Sequence, residues 1–212
     1  METSVIILAA TAEPTSWNSD MPRHLVRIGA ETLMGRTLRQ LGELGHEATV
    51  MTDIPEVQEV VPCWIDPENR RWIVSTILSS REAWSDRVII LPGDTVWDIY
   101  VLGFILGHNH TKLPTFYGDS KEIHAIAFLR EHFGKIERAL GGTERVFNRD
   151  GGWCWLSHFY RVFCGRDIYD YEMKGKWEHW RTIRTLHTPS KSCVTDFDTI
   201  EEYREWFEVR HV

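Results

Sequence analysis

Asp94 ends the run Arg87-Val-Ile-Ile-Leu-Pro-Gly-Asp94, so an unbroken apolar strand carries a carboxylate to its own C-terminal end. Strands without polar alternation are buried on both faces, as in a parallel α/β sheet, and ligands of such sheets sit beyond the carboxyl ends of the strands. Val5-Ile-Ile-Leu-Ala-Ala10 is a second such strand, leading into a polar loop that ends Asp20-Met-Pro-Arg23. Pro22 fixes the chain direction before Arg23, which suits a guanidinium aimed at a phosphate. Asp196 and Asp198 follow a further candidate strand near the C-terminus. Carboxylates arriving from separate segments are what a hard cation such as Mg²⁺ requires, with phosphate and water oxygens completing its octahedron.

Each of these residues also has a plain structural reading. Asp198-Thr-Ile-Glu201 is a capping-box pattern, which accounts for Asp198 without any ligand. Asp196 stands outside that cap and has no local reason to be acidic. Asp94 fits the N-cap of a helix beginning at Thr95, and Arg23 fits a solvated surface position.

The elements that must position these groups alternate along the chain. Thr32 is placed to cap a helix bearing Leu33, Leu38, Leu41 and Leu44, which Gly45 closes. Glu47 to Thr52 reads as a strand, and Val57 to Ile65 contains another, interrupted by Pro62. Asn69 or Arg70 to Trp84 reads as a helix with Trp72, Ile73, Thr76, Ile77, Ser80 and Trp84 along one stripe. The order β-α-β-β-α-β implies right-handed crossovers and a mainly parallel sheet. The second half is mixed. Strands are expected at Leu113 to Tyr117 and Glu122 to Phe128, with a helix from Leu129 to Leu140 that breaks at Gly141-Gly142. A helix from Trp153 to Phe163 ends by Gly165, strands follow at Thr182 to Leu186 and Ser192 to Thr195, and Thr199 to Glu208 is a terminal helix. The fold class read from this order is a single α/β domain over residues 1–212, with a mainly parallel mixed sheet flanked by helices.

Composition excludes several functions. A formal charge of −7 argues against generic nucleic-acid binding, which needs a basic surface. Val88 to Leu106 is apolar but contains Asp94 and Asp98, which argues against a membrane span, and the opening Met1-Glu-Thr-Ser lacks a basic n-region. A soluble, cytoplasmic protein is expected. Cys63, Cys154, Cys164 and Cys193 form no CxxC and read as reduced, mostly buried thiols. His108-Asn-His110 lacks a third ligand and reads as a loop, and His124 reads as a strand residue. Trp153, Trp155, Trp177 and Trp180 fit packing, or stacking on a sugar or base. The sequence contains no GxSxG, GxxxxGK[ST] or HExxH.

Three stretches together resemble the nucleotidyltransferase family that includes sugar-phosphate nucleotidyltransferases and molybdopterin guanylyltransferases. They are Val5 to Ala10 with Asp20-Met-Pro-Arg-His-Leu and Leu33-Met-Gly-Arg-Thr-Leu-Arg-Gln-Leu41, then Leu91-Pro-Gly-Asp94, then Asp196-Phe-Asp-Thr-Ile-Glu-Glu-Tyr203. The resemblance implies a doubly wound, GT-A-type α/β fold and Mg²⁺-dependent transfer of a nucleotide from a nucleoside triphosphate to a small phosphorylated acceptor, commonly a sugar phosphate, with release of pyrophosphate. It further implies nucleotide contacts from Leu8, Ala9, Ala10, Thr11 and Gly93, metal ligation by Asp94 with Asp196 and Asp198, and a catalytic role for Asp94 and for Arg23, which holds phosphates. The sequence departs from the family at Thr11 and Glu13, where glycines are usual, at Pro14, and at Arg23, where Lys is usual. These departures leave two alternatives beside the transferase: a glycosyltransferase of the related fold that takes a nucleotide-sugar donor, and a non-catalytic descendant that binds nucleotide or a protein partner.

Overall fold

The computed structural model describes residues 1–10, 21–108, 114–118, 123–151, 154, 156–165, 183–185, 194–196 and 203–205. Its centre is the strand β1 (Thr3–Leu8), flanked in parallel by β4 (Ala48–Met51) on one side and β6 (Arg87–Pro92) on the other. The apolar runs fill both faces of the sheet, as their lack of alternation predicts. Val5, Ile7, Ile89 and Leu91 face one cluster, while Ile6, Leu8, Val88 and Ile90 face the other. Burying each such side chain stabilises the fold by about 1.5–3 kcal/mol, which is why these three strands define the frame.

Outward from this centre lie β5 (Trp64–Ile65), parallel to β4, and β9 (Ile123–Leu129), antiparallel to β6. Then come β8 (Thr115–Gly118), antiparallel to β9, and β10 (Ile183–Thr185), parallel to β8. The seven-stranded order is β10-β8-β9-β6-β1-β4-β5, and β2 (Arg27–Ile28) and β3 (Glu31–Thr32) pair antiparallel in a separate ribbon. β9 alone runs against the rest, so the sheet is mixed and mainly parallel, as expected from the element order.

Helices cover both faces. α1 (Leu33–Glu43), α2 (Pro55–Gln58) and α4 (Ile99–Gly107) contribute Met34, Leu41, Val57, Leu102 and Ile105 to the first cluster. α3 (Ile73–Ser79), α5 (Phe133–Asp150) and α6 (Leu156–Phe163) contribute Val74, Ile77, Leu140 and Phe159 to the second. The Thr32 hydroxyl accepts from the Gly35 N–H at 3.0 Å and caps α1, and Gly45 leaves that helix at φ 78°, both as the sequence indicates. Arg87 is buried at the start of β6. Its guanidinium donates to the carbonyls of Leu106 at 2.5 Å, Ile105 at 2.8 Å and His108 at 3.1 Å, closing the C-terminal end of α4 from a neighbouring strand.

Several expectations are corrected. No helix begins at Thr95: Thr95–Trp97 is the strand β7, and Asp98 caps α4, accepting from the Tyr100 N–H at 2.8 Å. The stretch from Val57 to Ile65 does contain a strand, but only the two residues of β5, after α2 ends at Gln58. α3 is shorter than its apolar stripe, because Arg81–Ala83 continues as a 3-10 turn. α5 passes through Gly141-Gly142 and stops at Gly151, φ 75°. Cys63 and Cys164 are exposed and Cys154 is half-buried, so the thiols described are not core residues. His124 is buried in β9, as a strand residue. Trp153, Trp155, Trp177, Trp180, Cys193 and His110 lie outside the described residues. No helix among the described residues is long and apolar enough to cross a membrane.

Candidate functional site

The carboxyl ends of β1, β4 and β6 form one edge, where the sequence-expected residues meet. Gly93 continues past β6 and its N–H donates to the Leu8 carbonyl at 2.8 Å, while the Ala9 N–H donates to the Met51 carbonyl at 2.9 Å. These two bonds tie the three strand ends together, and Ala10 is the first residue beyond them. A side chain at Gly93 has no room. An ideal Cβ there would stand 2.8 Å from the Leu8 carbonyl oxygen, 3.1 Å from the Ala9 Cβ and 3.2 Å from the His24 Cδ2. The glycine before Asp94 is therefore dictated by close approach of backbone, not by a turn conformation.

Arg23 enters from the other side. It begins a 3-10 turn, Arg23–Leu25, set by the extended Pro22, and its Nη2 lies 2.8 Å from the Asp94 Oδ2. Both side chains are about one-fifth exposed, 21 % and 17 %, so the pair is screened less than a surface bridge. The solvated-surface reading of Arg23 thus gives way to a specific ion pair, and the capping reading of Asp94 gives way to a carboxylate at the strand edge.

The second acidic segment arrives by strand pairing. β11 (Val194–Asp196) runs antiparallel to β7, with Asp196 opposite Thr95 and therefore one residue from Asp94 along the partner strand. The Tyr203 hydroxyl donates to the Arg27 carbonyl, and the Tyr203 ring packs with Val26, Ile28, Leu33 and Val96. The C-terminal segment is thereby anchored at two points to the region carrying Arg23 and Asp94. Thr11 and Asp198 lie outside the described residues.

Two residues at this edge escape the sequence reading. His24, next to Arg23, is buried, and its Nδ1 has no hydrogen-bond partner among the described residues. Burial pushes its imidazole down to about 4, with Asp94 opposing, Arg23 assisting and Asp53 opposing more weakly, so the ring is neutral at pH 7. Asp53 stands just past β4, its side chain 9 % exposed, with Oδ2 3.0 Å from Arg70 Nη1. It ends β4 much as Asp94 ends β6, and the pair Thr52-Asp53 after an apolar strand was the available signal.

Asp94 and Arg23 thus meet beyond the carboxyl ends of the strands, where ligands of open α/β sheets sit. Over 99 % of both chains the protein matches the CTP:phosphocholine cytidylyltransferase of Streptococcus pneumoniae, TM-score 0.59 at 12 % identity. HddC of Yersinia pseudotuberculosis, also solved in complex with GMP-PN, matches over 99 % of both chains, TM-score 0.58 at 14 % identity. Rv0371c of Mycobacterium tuberculosis matches over 97 % of both, TM-score 0.61 at 14 % identity. No protein-family model and no curated protein matches by sequence. What is shared at these identities is the fold, which is the GT-A-like fold of nucleotidyltransferases.

Proposed function

We propose that this chain, acting as one domain over residues 1–212, is a nucleotidyltransferase that moves a nucleoside monophosphate from a triphosphate to a small phosphorylated acceptor, releasing pyrophosphate. The acceptor class we favour is a sugar phosphate. One observation carries the reading: the β7–β11 register sets Asp196 beside Asp94, where Arg23 also reaches, at the carboxyl edge of a nucleotidyltransferase-type sheet. The structural neighbours named above include a phosphocholine cytidylyltransferase and a protein solved with a nucleotide analogue, which supports a nucleotide and a phosphorylated acceptor as ligands.

The residue types fit magnesium by donor chemistry, since Asp94, in the turn before β7, and Asp196, in the β11 strand paired with β7, are both hard-oxygen carboxylate residues, and Asp198 is assigned to the same set. Magnesium held there would neutralise charge developing on the transferred phosphate. The chain's own groups do the rest. Arg23 turns from Asp94 to the phosphates, a planar fork suited to two phosphate oxygens. Gly93 is assigned a backbone contact with the nucleotide, with Leu8, Ala9, Ala10 and Thr11 lining the nucleoside side. No covalent nucleophile is required, because holding acceptor and α-phosphate in line supplies the rate.

The test is pyrophosphate release across the nucleoside triphosphates with Mg²⁺, against sugar 1-phosphates and phosphocholine. Asp94→Asn is expected to lower turnover at least a hundredfold with the fold retained, the scale of losing one preorganised charge contact. Turnover unchanged in Asp94→Asn ends the assignment of that residue, and no release with any pair ends the transferase reading. A second reading has an observation of its own: Arg23 and Asp94 neutralise each other at 2.8 Å, which suits a binding protein that performs no chemistry. Nucleotide-dependent thermal stabilisation without pyrophosphate release would favour it.

A further inference from the structure

His24 has no role in the function argued so far, yet it occupies the junction of β1, the end of β6 and the turn bearing Arg23. It lies on the same 3-10 turn as Arg23 and is 3 % exposed. Its Cδ2 sits 3.2 Å from the point where a Cβ on Gly93 would stand, so the imidazole packs against the α-carbon of the residue preceding Asp94. That point is also 2.8 Å from the Leu8 carbonyl oxygen and 3.1 Å from the Ala9 Cβ, so β1, β6 and the turn converge there. Among the described residues, Asp94, Arg23 and Asp53 are the charged groups that act on the ring.

Packing alone is a poor account of this residue. A buried ring nitrogen without a partner costs about 1–3 kcal/mol. An apolar side chain of similar volume would fill the space without that cost. What an imidazole offers is a flat, rigid body, with Arg23 before it in the chain and the Gly93 α-carbon against its edge.

We propose that His24 is the positioning residue of this site: its ring, set against Gly93, fixes the distance between the turn bearing Arg23 and the strand end bearing Asp94, and so holds guanidinium and carboxylate in register. This rests on the nucleotidyltransferase reading only for its meaning in catalysis. The geometric claim stands apart, and the experiment addresses it without nucleotide.

The experiment is a double-mutant cycle, Arg23→Met and Asp94→Asn, followed by urea unfolding of the full chain at low ionic strength. It is run in the wild type and again with His24→Leu. The wild type is expected to show a coupling of about fivefold in the unfolding equilibrium constant, the upper range for ion pairs that keep some solvent contact. With His24→Leu, a branched side chain in place of the flat ring, the coupling is expected to fall below twofold, while the unfolding midpoint holds or rises as the unpartnered nitrogen is removed. A role in packing alone lowers the midpoint and leaves the coupling intact. Equal coupling in both backgrounds overturns the proposal, as does a wild-type coupling below twofold. Should His24→Leu fail to fold, the cycle is repeated with His24→Asn, read by the same criterion. If no nucleoside triphosphate is a substrate, the functional reading fails while this cycle still decides His24. If one is, His24→Leu is expected to raise KM for the triphosphate several-fold more than it lowers kcat.

Discussion

Replacing Gly93 by alanine adds one methyl group at the most crowded point of the candidate site. Its Cβ would lie 2.8 Å from the Leu8 carbonyl oxygen, and that oxygen cannot retreat freely because it accepts the Gly93 N–H at 2.8 Å. The other two neighbours, Ala9 Cβ at 3.1 Å and His24 Cδ2 at 3.2 Å, are themselves buried. Overpacking of this kind costs about 1–3 kcal/mol. At about 2–4 °C per kcal/mol for a chain of this size, the Tm of Gly93→Ala should fall by about 2–12 °C. Gly42→Ala provides the control of opposite sign. Gly42 lies in α1 with nothing within 4 Å of its ideal Cβ. Alanine there should add about 0.5–1 kcal/mol and raise the Tm by about 1–4 °C. Thermal unfolding of the two variants beside the wild type checks both. A Gly93→Ala midpoint equal to or above that of the wild type would refute the claim that backbone approach fixes this glycine.

Arg87→Met removes the donor shared by three carbonyls at the end of α4; after relief of the buried charge, a net loss of about 2–4 kcal/mol is expected from urea unfolding. An unchanged midpoint would mean that those carbonyls find other partners. Stability should also fall with acidity. Burial pushes the His158 imidazole down to about 4 from an ordinary 6.5, so the unfolded chain takes up its proton first as pH drops. The loss begins near pH 6.5, runs at about 1.4 kcal/mol per pH unit for the residue, and ends near pH 4. His24 acts in the same direction. His158→Phe, in a site that already packs on Phe147, should flatten the slope of stability against pH by that amount in urea unfolding at pH 7 and pH 5. An identical slope would show that His158 does not titrate as its burial implies.

β1, β4, β6 and α1 were legible in the sequence because their signals are local: apolar runs buried on both faces, a Thr cap and a closing glycine. Thr95 shows where such reasoning stops. An acid followed by Thr95 and an apolar stretch reads as a helix start, but Thr95–Trp97 pairs with β11 about a hundred residues away, and that pairing decides the conformation. Gly141-Gly142 read as a break, yet α5 runs through it, and an ideal Cβ on Gly142 would sit only 3.3 Å from Val162 Cγ1. There the glycine serves the close packing of α6 on α5. At this edge, the approach of Arg23 to Asp94 was legible from their places at loop and strand ends, whereas the burial of His24 was not, because nothing in its neighbours reveals that the turn is folded inward against Gly93.

The attachment of Asp196 by a two-stranded ribbon separates the integrity of the site from the integrity of the protein. β7 and β11 share three residue pairs, whereas the seven-stranded sheet is held by clusters on both of its faces. Elements with few buried contacts open at lower free energy than the core. Amide protons of 194–196 should therefore exchange with solvent well before those of β1 and β6. A sample can then melt at its full temperature while part of the population has the second acidic strand undocked, and exchange at those three amides counts the assembled fraction where a melting curve cannot.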